Sequence, residues 1–379
     1  MKKSLLALAV AFAATNASAV TVYDKDNTSF AVGGRVQSVV YNGAYDKVGD
    51  HDAGLVNSAR LNLSGNTKIN DYVSVFAFSE WNMADGNKED KAATGDNINT
   101  RDQYVGADFG SFGKILAGKA FDALYAVQAA TDVFEDAACI DNLTSADRRT
   151  GMFRYEFDNN GFFASASFNT ASDDVLLMGD PDNKVDVDYG YAASAGYTFD
   201  NVVFGPLAFK GGFTYIEGQD DTYIIEGQDG ESKNYFNKFK EFKGSAFSVT
   251  WGSLDSGLYL AALYNTHHKT TNNGRADVYG SNEHVKGYEL VAGYTFDFGL
   301  NVLAGYEVRD SKIKNVNGVT PSKVVRRVPV LVNYQVAPSF NIWTEAEFDA
   351  NSNSYANEDV HYSKEDRGTK FSVGARYTF

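Results

Sequence analysis

Residues 370–379, Lys-Phe-Ser-Val-Gly-Ala-Arg-Tyr-Thr-Phe, decide the fold. Phe371, Val373, Ala375, Tyr377 and Phe379 share one side of an extended chain; Lys370, Ser372, Gly374, Arg376 and Thr378 share the other. Alternation with period two marks a β-strand with one apolar and one wet face. About ten residues is the length a tilted strand needs to cross a bilayer core. A chain that repeats this unit can close into a barrel with lipid outside and water within.

The unit recurs throughout. Residues 30–41 alternate Phe30, Val32, Gly34, Val36 and Val40 with Gly33, Arg35 and Gln37, and residues 58–67 set Ala59, Leu61, Leu63 and Gly65 opposite Arg60, Asn62 and Ser64. Residues 73–81 put Val73, Val75, Ala77 and Trp81 opposite Ser74 and Glu80. Further strands are expected at 101–109, 114–119, 148–157, 162–169, 188–199, 207–216, 243–251, 258–267, 286–296, 300–310, 325–334, 340–350 and 368–379, about sixteen in all. Short turns such as residues 158–161, 297–299 and 336–339 alternate with long polar or acidic loops. That rhythm belongs to outer-membrane barrels, with turns on the periplasmic side and loops outside. Aromatics near strand ends, including Tyr197, Phe199, Tyr294, Phe296, Tyr334 and Tyr377, suit an interfacial girdle. The predicted fold is all-β: a transmembrane antiparallel β-barrel.

Lys2 and Lys3, the apolar residues 5–14 and the small Ala17-Ser18-Ala19 read as a secretory signal peptide cleaved after Ala19. The apolar run is too short to span a membrane as a helix. Residues 1–19 are therefore set apart from residues 20–379, which form one barrel domain without a linker. The chain carries 34 basic and 49 acidic residues, a net charge of −15, and loss of the two early lysines makes it more negative. No basic stripe is present to neutralise phosphates, which argues against nucleic-acid binding. Five prolines against 23 tyrosines and 27 phenylalanines favour strands. A mean hydropathy of −0.32 is what a barrel with a polar lumen averages to. The single cysteine, Cys139, excludes an intrachain disulfide framework.

Several constellations carry no chemistry. Gly113, Gly118 and Lys119 have phosphate-loop spacing, but Ala120 replaces the Ser/Thr that would hold magnesium and no helix pattern follows. Glu345 and Glu347, spaced by two on a strand, form a lumen-facing stripe with Trp343 and Asp349 rather than a catalytic pair. His51, His267, His268, His284 and His361 lie in or beside the predicted loops without ligand spacing. The acidic run at 180–188 lacks the glycine and distal glutamate of a calcium loop. No enzyme activity, metal or cofactor is expected.

Taken together, the start Val20-Thr-Val-Tyr-Asp-Lys-Asp26, the run Ser58-Ala-Arg-Leu-Asn-Leu-Ser-Gly65, Asn99-Thr-Arg-Asp-Gln-Tyr-Val-Gly106, Gly110-Ser-Phe-Gly113 and the terminal Tyr377-Thr-Phe379 resemble the Gram-negative general porins. These are trimeric sixteen-stranded diffusion channels of the outer membrane, and the overall flavour resembles the vibrio-type OmpU-like subgroup. The resemblance covers the mature length. It implies a homotrimer, contact with outer-membrane lipid and lipopolysaccharide, and recognition of Phe379 by the barrel-assembly machinery. It implies that residues 84–99 latch neighbouring subunits. It also implies that the third long loop, residues 120–147, folds into the pore and narrows it. Glu135 and Asp136, with Asp132, match the family's acidic loop tip, and Arg35, Arg60, Arg101 and Arg148 match the facing basic wall. The usual Pro-Glu-Phe-Gly-Gly run is replaced here by Val133-Phe-Glu-Asp-Ala137.

The expected function is passive diffusion of ions and small hydrophilic solutes through a water-filled channel. Opposed charges about 10 Å apart interact by roughly 0.4 kcal/mol in bulk water and about 1.7 kcal/mol at an effective dielectric of 20. Rows of them orient polar solutes, and the acidic balance predicts a mild cation preference. The alternative is a substrate-specific channel for a sugar or another polar nutrient, which needs a track of inward aromatics. Phe76, Tyr259 and Trp343 are scattered.

Overall fold

The computed structural model describes residues 19–45, 48, 51–84, 98–137, 148–176, 184–219, 222–226, 232–236, 239–271, 281–315, 318–319, 323–351 and 368–379. Sixteen long strands make the barrel. The first eight are β1 (Thr28–Asn42), β2 (Ala53–Lys68), β3 (Ser74–Ala84), β4 (Asn99–Asp108), β5 (Lys114–Ala120), β6 (Arg149–Asn159), β7 (Phe162–Asn169) and β8 (Lys184–Val202). The second eight are β9 (Gly205–Gly218), β10 (Phe239–Gly252), β11 (Gly257–Thr271), β12 (Ser281–Thr295), β13 (Leu300–Asn315), β14 (Lys323–Ala337), β15 (Phe340–Asp349) and β16 (Lys370–Thr378). Each pairs antiparallel with the next, and β16 pairs with β1 from Arg35↔Thr378 to Tyr41↔Ser372. Closure leaves no edge, so every strand's backbone groups find partners in a lipid environment that offers none.

The seam uses both ends of the chain. Gly34 and Phe379 exchange two backbone hydrogen bonds of 2.8 and 2.9 Å, and beyond them the strand Val20–Lys25 pairs with β1 from Val20↔Val32 to Lys25↔Thr28. Lys370–Thr378 and Val20–Lys25 thus lie along one edge of β1 as a composite partner. A Cβ on Gly34 would lie 2.4 Å from the Arg60 carbonyl and 2.9 Å from the Phe379 ring, so only glycine lets the last residue close against β1.

Alternation sorts the side chains. Val36, Val40, Val105, Phe153, Phe213, Phe247, Tyr288, Leu290 and Phe371 are exposed on the outer face, whereas Asn62, Glu80, Thr214, Glu289 and Ser372 are buried within. A continuous exposed apolar surface of this kind requires a lipid solvent. All seven turns at one end are short, and all eight connections at the other are longer. Residues 222–226 and 232–236 form a small hairpin within the loop between β9 and β10.

The expected strands all exist, the weak one at 114–119 included. Their limits differ at the long-loop end. Strand β8 runs four residues earlier than the alternation suggests, and β11 extends to Thr271. Above the apolar belt both faces are wet, so hydropathy alternation fades while the hydrogen-bond ladder continues. The same cause corrects the placement of three histidines. His267, His268 and His284 sit within β11 and β12, and His267 is buried on the inner face. Arg148, expected inside a strand, falls just before β6. The signal peptide up to residue 18, most of the 84–99 loop, residues 138–147 of the third long loop with Cys139, residues 177–183 and His361 lie outside the described residues.

Candidate functional site

The third long connection leaves β5 and enters the barrel. Asp122 carries the turn inward: its carboxylate accepts the backbone N–H groups of Leu124 at 3.0 Å and Tyr125 at 3.3 Å, opening the single-turn helix α1 (Tyr125–Gln128). The same carboxylate accepts Thr214 Oγ1 at 2.9 Å and pairs with Arg149 at 3.1 Å, with side-chain exposures of 0% and 4%. Four residues are too few for a helical period to show in the sequence.

From that anchor the loop follows the inner wall strand by strand. Ser167 on β7 and Ser194 on β8 bond the backbone of Ala123 at 3.0 and 2.6 Å. Lys210 on β9 reaches the Ala126 carbonyl at 3.3 Å, and Gln128 donates to Asn265 on β11 at 3.2 Å. Tyr259 on β11 donates to the Ala130 carbonyl at 2.6 Å, and Thr131 bonds Glu289 on β12.

The tip docks where β15, β16 and β1 meet. Glu345 on β15 accepts the backbone N–H groups of three successive residues, Glu135 at 2.7 Å, Asp136 at 3.0 Å and Ala137. Asp136 in turn accepts Tyr41 Oη at 2.5 Å, Ser372 Oγ at 2.7 Å and the Trp343 indole N–H at 3.4 Å. Glu135 is gripped through both oxygens by Arg376 on β16, whose Nε bonds Gln37 at 2.9 Å and whose guanidinium lies 4.8 Å above the Trp343 ring. Gly374, register partner of Trp343, makes room for the indole: a Cβ there would lie 2.1 Å from Cζ2. Asp132 is exposed and accepts the Tyr125 hydroxyl at 2.7 Å.

The basic residues occupy the adjoining stretch of the ring, from β1 to the start of β6. Arg35 and Arg60 are register partners on β1 and β2, and Arg60 Nε donates to Asn82 on β3 at 3.0 Å. Arg101 bonds Glu80 at 2.7 Å, and Arg148 bonds Asp102 at 2.7 Å with its guanidinium 3.8 Å from the Phe121 ring centroid. A bulge on β4 opposite Glu80 and Trp81 lets the adjacent Arg101 and Asp102 both reach these inward partners.

The four expected arginines therefore gather on one arc, and residues 122–137 of the loop follow the rest of the wall and meet that arc at β1. Two of the three expected acids are engaged in docking, which sequence reasoning did not foresee. It also missed Arg376 as the partner of Glu135, although Arg376 stood on the wet face of the opening stretch. Glu345 was visible as part of an inward stripe; its role as acceptor for the loop backbone was not. Tyr259 and Trp343 use their polar edges on the loop, so they supply no aromatic track for a solute.

A closed barrel with a wet lumen and a loop folded along its inner wall has the architecture of an outer-membrane channel. The chain matches the Gram-negative porin family over residues 12–379 and belongs to it. It is similar to the outer membrane porin PhoE of Enterobacter cloacae, 28% identical over 345 residues that cover 88% of this chain and 89% of that protein. It is also similar to porin-like protein L of Photobacterium profundum, 27% identical over the full length of both. Among solved structures, Salmonella typhi OmpF in complex with daunomycin shares the fold with a TM-score of 0.68 at 19% identity, covering 95% of this chain and 100% of that one. The trimer form of OmpT from Vibrio cholerae does so with a TM-score of 0.62 at 16% identity, covering 93% and 100%. The relatives do not single out the vibrio-type subgroup. The protein is a general diffusion channel of the outer membrane, without enzymatic activity.

Proposed function

We propose that residues 120–147 and the facing arginines form the narrow point at which this porin sorts solutes. The observation that carries this reading is the hydrogen-bond chain that holds the loop to β7, β8, β9, β11, β12, β15, β16 and β1, with the Arg35–Arg148 wall completing the ring from β1 to the start of β6. Glu135, Asp136 and Asp132 are the acidic members; Arg35, Arg60, Arg101 and Arg148 are the basic ones. Ion pairing leaves the local charge near balance, so selectivity is weak. The chain's acid excess tilts it toward cations, and Arg35 and Arg60 oppose that tilt.

The functional unit in this reading is a homotrimer, supported by the trimer form solved for the Vibrio cholerae relative. Cleavage after Ala19 agrees with Val20 opening the first strand at the seam. Phe379 is the residue offered to the barrel-assembly machinery, and the outer surface meets membrane lipid and lipopolysaccharide. Planar-bilayer recording of purified protein tests the whole: conductance rises in steps grouped by threes, and reversal potentials in a salt gradient show a mild preference for cations. Absence of steps overturns the pore reading, and clear anion preference overturns the selectivity.

A further inference from the structure

Two histidines that the pore does not use meet on the outer surface. His268 on β11 and His284 on β12 are register partners in adjacent antiparallel strands. Residues directly opposite each other bring their Cβ atoms to about 4.5–5.5 Å. The two imidazoles stack with centroids 4.0 Å apart and planes at 11°. Their spacing along the chain has no ligand pattern; strand register alone brings them together. Alternation turns them outward, on the face of Tyr264 and Tyr288, which lie four residues nearer the short turns. Four residues are about 13 Å along a strand. The imidazoles therefore stand beyond that aromatic pair on the long-loop side, within reach of water.

Thr266 sets the state of one ring. Its hydroxyl lies 3.1 Å from the Val285 carbonyl and 3.2 Å from His284 Nε2. A hydroxyl has one proton to give, and the carbonyl can only accept it. His284 Nε2–H therefore donates to Thr266 Oγ1, and Nδ1 carries a free lone pair. Metal-binding histidines are held in this way, with the other ring nitrogen donating to an oxygen that fixes tautomer and orientation. Among the described residues, no hydrogen bond occupies either ring nitrogen of His268.

The charges around the pair are nearly matched. Lys243 and Lys312 flank it as register partners of His268 and His284, and Lys286 stands one outward position nearer the membrane. Glu241 holds Lys243 at 2.7 Å, and Asp310 is the register partner of Lys286. The charge left to oppose a bound cation is that of Lys312, an ammonium on a flexible stem that can turn away. It lowers affinity and leaves both nitrogen lone pairs in place. No group of three or more metal-ligating side chains exists among the described residues, so water fills the remaining coordination positions.

We propose that His268 and His284 form a two-histidine site for a divalent transition-metal ion of the copper, nickel or zinc class. Imidazole nitrogen suits these ions, whereas magnesium and calcium take oxygen ligands. Two nitrogens bound at about 2.0–2.1 Å in a tetrahedral site stand about 3.4 Å apart. Rings 4.0 Å apart reach that separation by a small turn of each imidazole. The bound ion cross-links β11 to β12 on the outside of the barrel, so the inference is independent of the charges inside the pore.

The test titrates the untagged full chain, in zwitterionic detergent, with copper(II), nickel(II) and zinc(II). Calorimetry reads affinity, and electron paramagnetic resonance of the copper form reads the ligands. The wild type binds one ion per chain at this site, and the copper spectrum shows coupling to two imidazole nitrogens. His268→Asn or His284→Asn lowers affinity by about tenfold or more and leaves at most one coupled nitrogen. Thr266→Val lowers affinity by about tenfold, and Lys312→Gln raises it by about two- to fivefold. His51→Asn with His361→Asn changes neither readout. Unit conductance is the same in all these variants, which reports fold and pore separately. Absence of binding by the wild type, a spectrum without two nitrogens, or binding that survives loss of both histidines overturns the inference while leaving the channel intact. Displacement of the ion by millimolar magnesium overturns it in favour of a carboxylate site.

Discussion

Arg35 and Arg60 are register partners on adjacent strands, both turned into the lumen, and neither forms an ion pair with a carboxylate among the described residues. Like charges directly opposite on a sheet are destabilising. Their neighbours Arg101 and Arg148 each hold an acid at 2.7 Å, so the uncompensated positive charge of the wall concentrates at this pair.

Neutralising either residue shifts selectivity. Arg35→Gln or Arg60→Gln raises the cation-to-anion permeability ratio by up to about fourfold each, because roughly 0.4 kcal/mol for a charge about 10 Å from a permeating ion in water favours the cation and disfavours the anion by the same amount. Asp132→Asn moves the ratio the other way. Reversal potentials at low and high salt measure this, and the shift shrinks as ionic strength rises. An unchanged potential in all three variants removes these residues from the narrow point.

Glu345 is the acceptor for the loop tip. Glu345→Ala leaves three backbone N–H groups without it, at about 1–3 kcal/mol for each that stays dry. The tip detaches, and single-channel records show added noise and closures at lower voltage. The barrel's own unfolding temperature changes little, because the strand ladder is untouched. Quiet wild-type records from the alanine variant would show that the tip is held by Asp136 and Arg376 alone.

Asp122 and Arg149 form the buried anchor at the other end of the loop. Removing one partner strands the other charge, at about 3–5 kcal/mol. Arg149→Met therefore lowers the yield of folded protein, and pairing it with Asp122→Asn recovers part of the loss. Folding yields in detergent and heat-dependent gel mobility report this directly.

Glu135 and Arg376 bond through two oxygens and two nitrogens in a partly exposed position. A double-mutant cycle with Glu135→Gln and Arg376→Gln, read by thermal unfolding, gives a coupling of about 1–2 kcal/mol. Coupling near zero assigns the tip's position to Glu345 and Asp136.

Phe379 contributes two backbone hydrogen bonds to the seam at Gly34. Its deletion reduces the amount of porin in the outer membrane more than it reduces the conductance of inserted molecules. Comparing membrane abundance with unit conductance separates the two effects; an equal loss in both assigns Phe379 to the pore itself.

Much of the fold was legible because alternation is written residue by residue. Arg35 and Arg60 could be placed on the wet face from their neighbours alone. Arg101 could not, since a bulge changes the count at that point on β4. The histidines of β11 and β12 were assigned to loops or their edges because a strand with two wet faces has no hydropathy signature.

By itself the sequence determined the number of strands, which side of each meets lipid, and which end carries the long loops. Every second side chain of an extended backbone shares a face, and that property needs no knowledge of distant residues. Only the tertiary structure decided how the loop acids are spent. Asp136 meets Tyr41 across 95 residues, Glu135 meets Arg376 across 241, and Glu345 lies 210 residues from the N–H it accepts. Those meetings depend on closure of the barrel at residues 370–379, which brings β15, β16 and β1 side by side under the loop tip.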